Sequence, residues 1–235
     1  MNLRLTLSTL FLLALGVLPA RATDNHQYGK NEYAIVRDGL APNRQLSLAA
    51  HGEGEFGDAN FHVWLMAEPA HRKIMALEGV GENNILDTGP ASYHASWSAD
   101  SRHVALNFRS SRHVVEFNLY RIENRKSRQL TGPTLFREVA GRDVNDDDDL
   151  RSSIPTMVWR GPDRFTLSEH RLFVTQDAGF AGRLGGYARV TDKLEEGRLV
   201  VEFSAEADCV ISGGGYRVVN IRVGKFDDAK REGAN

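Results

Sequence analysis

The chain has 235 residues, a net charge of −2 and 26% charged residues against 41% hydrophobic. That balance is an ordinary globular one, which excludes a disordered or fibrous chain, and the length permits one large all-β domain or two small ones. No basic stripe stands out from the acidic background, so nucleic acid is not an expected partner.

The first stretch carries an address. Met1 to Arg4 is a short positive region, and Leu5 to Leu18 is apolar, interrupted only by small or hydroxyl residues. Pro19 breaks the run, and Ala20-Arg21-Ala22 has the small-x-small form of a cleavage site. This layout predicts a secretory signal peptide cut after Ala22 and a periplasmic or secreted mature chain, 23–235, folded as a single all-β domain. The apolar run is shorter than the roughly 20 residues a membrane-spanning helix needs. No later segment reads as a transmembrane span.

Residues 23–32 read as a polar, loose arm. Beyond them Tyr33 to Val36 is a short strand candidate, and Leu46, Leu48 and Ala50 alternate with Ser47 and Ala49, the period of a half-buried strand. His51 to Asn60 reads as a glycine-rich acidic loop; Phe61, Val63 and Leu65 alternate again, and Ile74 to Leu77 returns the chain after a turn. The stretch from Tyr93 to Thr131 repeats this grammar most cleanly, with four short strands and tight turns at Ser98–Ser101, Ser110–Arg112 and Glu123–Lys126. Val104, Leu106 and Phe108 form one inward row, and Val115, Phe117 and Leu119 the next, with Tyr120 outward. A third unit runs from Met157 through Trp159, Gly161, Pro162 and Asp163 to Val174, with a further turn expected at Ser168–Arg171. Gly179 to Gly186 reads as a flexible loop. Strands are then expected at 187–190, 199–203, 209–212 and 216–223, the last two joined by Gly213-Gly214-Gly215. Helix should be scarce, because no long apolar period of 3.6 residues occurs.

Trp97-Ser98-Ala99-Asp100-Ser101, a strand ending in Leu119-Tyr120 and the close Arg128-Gln129-Leu130-Thr131 resemble the repeat of TolB-like β-propellers. That family shows Trp-Ser-Pro-Asp-Gly at the turn; here Ala99 replaces the proline and Ser101 the glycine. Trp159 and Asp163 occupy comparable places in the third unit, and Leu40 and Asn43 in the first, giving a repeat of roughly sixty residues. The resemblance implies antiparallel four-stranded sheets on a periplasmic binding scaffold, with units near 33–78, 93–131 and 154–175 and a C-terminal sheet at 187–224. A closed propeller takes at least about four blades. Two arrangements therefore remain open: a propeller-like ring with few blades, or an open β-stack or sandwich.

Chemistry is sparse. Asp143, Asn145, Asp147 and Asp149 place oxygens at alternating positions, a spacing that can converge on calcium. Asp148 stands where an EF-hand has its glycine, and Ile154 where it has glutamate; a solvated acidic loop is the competing reading. The histidines show no His-Glu-x-x-His spacing, no Gly-x-Ser-x-Gly elbow occurs, and no cofactor motif is present. Glu169-His170 is expected in a hairpin turn. Cys209 lies in an apolar run and reads as a small buried hydrophobe. Trp64, Trp97 and Trp159 could line a sugar-binding face or pack between sheets. The function expected is an exported binding or scaffold protein, with a protein or small ligand held by loops 51–60, 141–153 and 177–186. The alternatives are a carbohydrate- or cell-wall-active enzyme using loop carboxylates, and a secreted inhibitor.

Overall fold

The computed structural model describes residues 23–144 and 148–226; the expected signal peptide, Asn145 and Asp147 lie outside them. Among the described residues, thirteen strands form one mixed sheet that does not close on itself. β1 (Ala34–Leu40), β2 (Leu46–Glu53), β3 (Ala59–Ala67) and β4 (Arg72–Gly81) form an antiparallel meander. β5 (His94–Trp97), β6 (His103–Ser111), β7 (Val114–Glu123) and β8 (Lys126–Leu130) form a second. β9 (Asp149–Gly161), β10 (Arg164–Thr175) and β12 (Leu199–Ser212) form the third, with β11 (Ala188–Lys193) and β13 (Gly215–Val223) set end to end along the far side of β12. Parallel bridges join the three groups, Arg37 to His94 between β1 and β5 and Val114 to Ser153 between β7 and β9.

Turn chemistry sets the tight corners. Between β7 and β8, Asn124 and Arg125 both have positive φ, 51° and 61°. Two such residues in succession make a turn whose twist matches the flanking strands.

Two cores hold the three groups together. In the first, Leu48, Phe61, Val63 and Leu65 meet Val104, Leu106, Phe108, Tyr120 and Ile122. Tyr93 stacks between Phe61 and Phe108, with ring centroids 5.3 and 5.8 Å away. In the second, Ala105, Leu119 and Leu130 meet Phe165, Leu167, Phe173 and Phe203 beneath α1 (Leu135–Ala140) and α2 (Ala178–Arg183). The middle group is therefore covered on both faces. This corrects the placing of Tyr120 outward: it is fully buried and its hydroxyl donates to the Glu78 carbonyl at 2.6 Å. Cross-strand register puts Tyr120 beside Val104 and Leu119 beside Ala105, so the rows of β6 and β7 read as both inward serve opposite cores.

Three other expectations change. The arm 23–32 is docked, not loose. Asp87, 1% exposed, accepts from the Asp24 N–H and from two Arg109 nitrogens, all at 2.7 Å, and the buried Tyr28 ring joins the first core. The expected turn at Ser168–Arg171 is absent, because β10 runs through it unbroken. Finally, 177–186 is largely helical, with Asp177 Oδ1 capping the Phe180 N–H at 2.7 Å and the Phe180 ring buried; a side-chain oxygen there satisfies an N–H that the first turn leaves unpaired. Among the described residues no helix is long and apolar enough to cross a membrane.

Candidate functional site

The third group of strands has one face in the second core and one face open. Along β10, Phe165, Leu167, Glu169, Arg171 and Phe173 point inward, and along β12 Val201, Phe203 and Ala205 do the same. The alternate residues line a groove of about 930 Å³, walled by β9, β10, β12, β11 and the chain leaving β13. β11 and the segment after β13 supply its side beyond β12. The chain leaving β13 stays against β12 there, because the Gly224 N–H donates to the Ser204 carbonyl at 3.0 Å and Ser204 Oγ donates to the Lys225 carbonyl at 2.7 Å.

In the groove floor sits Glu202, whose side chain is 8% exposed. His170 Nε2 lies 2.8 Å from Glu202 Oε1, and Arg189 Nε donates to Oε2 at 2.5 Å. The Arg189 guanidinium also lies over the Phe226 ring, 4.8 Å from its centroid. A carboxylate has only acceptors, so His170 presents its Nε2 proton to Glu202 and keeps Nδ1 as an acceptor while the ring is neutral. Glu202 is thus satisfied on both oxygens, as a buried carboxylate must be.

The opposite face of β10 holds a second polar arrangement. Glu169 and Arg171 are 4% and 8% exposed, and the Arg171 Nε donates to Glu169 Oε1. Glu169 Oε2 accepts the Phe136 N–H at 3.1 Å, and the Arg171 guanidinium lies over the Phe136 ring at 4.8 Å. This pair fastens α1 to the sheet, its side chains on the core side of β10. Glu169 and His170, expected together in a solvated turn, therefore serve opposite faces.

The acidic run behaves piecewise. Asp143 accepts from Thr134 Oγ1 at 3.3 Å and lies 3.9 Å from Arg137 and Arg171. Arg142 reaches Asp148 at 2.8 Å, and Arg151 reaches Asp149 at 2.5 Å. Each described carboxylate of the run faces an arginine, which offsets the mutual repulsion that crowded acids impose. Among the described residues no group of three or more His, Cys, Asp or Glu is arranged to hold a metal.

The tryptophans divide. Trp97 Nε1 donates to the Gly39 carbonyl and Trp159 Nε1 to the Ser96 carbonyl, both at 3.0 Å. Each ties the end of one group's first strand to the first strand of the group before it. Gly39 has to be glycine: a Cβ there would stand 2.7 Å from the Leu48 carbonyl oxygen and 2.8 Å from that of Val36. Trp64 lies apart on the N-terminal sheet, edge-on to Tyr33 and under the Lys73 ammonium at 4.2 Å. Cys209 is buried and its thiol is pushed up to about 12 by that burial, so it carries no thiolate at neutral pH.

Compared with known proteins, the chain matches no family model, and no curated protein is similar to it. The groove was not foreseen because its four strands follow one another in the chain but lie side by side in the order β11-β12-β10-β9. The one available signal was the alternation of hydroxyl and charged residues along 200–206 and 166–172, which marks a face left open.

Proposed function

We propose that this chain is an exported binding protein that holds a ligand in the groove on the open face of its C-terminal sheet. The observation that carries the reading is the His170–Glu202–Arg189 arrangement set in a concavity of about 930 Å³. Ligand sites combine a concave, partly apolar lining with a few fixed polar groups, and a buried carboxylate with its partners already in place needs no rearrangement on binding. The signal-peptide layout of residues 1–22 supports export to the periplasm.

The TolB-like repeat remains our reading of the scaffold. Its support is the recurrence of the two indole hydrogen bonds: Trp97 reaches the residue before Leu40, and Trp159 reaches the residue before Trp97. Three such groups leave the sheet open, so the scaffold is a stack of propeller-like sheets in this proposal. The binding face moves from the loops to the sheet itself.

Native mass spectrometry tests the function. Protein incubated with a periplasmic extract and desalted should carry an added mass that Leu172→Trp, which fills the groove, removes. An unliganded wild type, or the same adduct on both proteins, would overturn the proposal.

A further inference from the structure

The groove lining has a direction. Ile154 on β9 lies beside His170; Leu172 on β10 lies beside Glu202; Val200 on β12 lies beside Val174. Each step from Ile154 to Leu172 to Val200 crosses one strand and advances two residues, about 8 Å, so the three side chains form a diagonal about 16 Å long. All three line the groove, and Ile154 is 46% exposed. A parallel diagonal beside it carries His170 and Glu202. Among the described residues no Phe, Tyr or Trp side chain lines the groove, so they offer no broad stacking platform for a sugar or a planar ring.

The buried charge of the groove is already matched. Glu202 faces Arg189 and His170, and Glu206 holds Arg222, while Asp192 and Lys225 add one charge of each sign to the lining. A charged head beside His170 would meet ions that have partners, and its own desolvation would go uncompensated there. Beside His170 the unused polar capacity is neutral: His170 Nδ1 as an acceptor, with the Ser152 and Thr156 hydroxyls on the same wall.

We infer that the groove takes a neutral amphiphile, with one hydrocarbon chain along Ile154–Leu172–Val200 and a hydroxyl-bearing head that donates to His170. The inference rests on the reading of the groove as a ligand site and adds the ligand's chemical class. Burying the chain supplies affinity in proportion to the apolar area removed from water, and the head hydroxyl supplies orientation, since a carboxylate has no proton to offer His170.

Calorimetric titration with monodecanoyl glycerol below its aggregation threshold tests this, with decanoate, decylamine and glycerol as comparators. Saturable binding of the glyceride is expected, about tenfold or more weaker for decanoate and decylamine, and absent for glycerol; a tenfold difference is about 1.4 kcal/mol. Leu172→Trp should abolish binding. Ile154→Glu, at an exposed position that leaves folding intact, should do the same. His170→Phe should weaken the glyceride about tenfold and leave decanoate, which has no proton to donate, unchanged. No glyceride binding, equal affinity for all three amphiphiles, or binding indifferent to Leu172→Trp and Ile154→Glu would overturn the inference. If the glyceride fails while the extract-derived adduct still depends on Leu172, the ligand class is wrong and the binding function stands. If neither appears, both fall.

Discussion

The middle and C-terminal groups of strands are both antiparallel and both border the second core, yet they are put to different use. The middle group has a core on each face: Val104, Leu106 and Phe108 serve the first, and Ala105, Leu119 and Leu130 the second. The C-terminal group has a core on one face and the groove on the other. Strands covered twice are committed to packing and to holding neighbours. Strands covered once keep a row of side chains lining the groove.

Substitutions can break that comparison. The largest effect is expected where polarity is buried on the core side of β10: Arg171→Leu leaves the Glu169 carboxylate without its cation and should cost about 3–5 kcal/mol, measured by urea unfolding. Leu106→Ala in the middle group should cost about 2–5 kcal/mol in the same assay, because a fully buried side chain leaves a cavity. A loss below about 1 kcal/mol there would mean the middle group is not clamped between two cores. Trp97→Phe and Trp159→Phe should each cost about 1 kcal/mol, the usual net worth of a hydrogen bond; clearly unequal losses would count against the repeat. Smallest is Ile154→Ala on the open face, expected within about 0.5 kcal/mol of wild type.

The seam between the two groups is sensitive to acid. His103, 3% exposed, donates from Nδ1 to the Pro162 carbonyl at 3.1 Å and accepts at Nε2 from Arg121 Nε at 3.3 Å, while Arg121 also reaches the Gly213 carbonyl at 2.9 Å. Burial and the neighbouring Arg121 cation lower its pKa, against the pull of Asp163 and Asp100. The unfolded chain therefore takes up the proton first, and stability falls as pH drops below about 6.5. Urea midpoints measured at pH 7.5 and 5.5 should differ less in His103→Gln than in wild type. An unchanged difference would remove His103 as the cause.

Much of the first two groups was legible in the sequence, because their strands are short, alternate cleanly and end at turn residues. Asn124 and Arg125 turn where Glu123–Lys126 read as a corner, and Trp97 and Trp159 stand at matching strand ends. Two of the errors, at Ser168–Arg171 and at Tyr120, share one physical origin. Sequence patterning treats polar residues as outward, but Glu169 and Arg171 occupy inward positions of β10 as a mutually satisfied pair, so an unbroken strand looked like a turn. Tyr120 misled in the same way, its hydroxyl being paired inside the first core.

By itself the sequence determined the all-β class, the scarcity of helix, the tight corners and the export signal layout, since all of these depend on local periodicity and composition. Only the tertiary structure decided that three groups stack without closing, that the middle one is buried twice, and that His170, Glu202 and Arg189 meet. Those outcomes depend on which strands pair and in what register, and a shift of one residue would turn every groove side chain into the core.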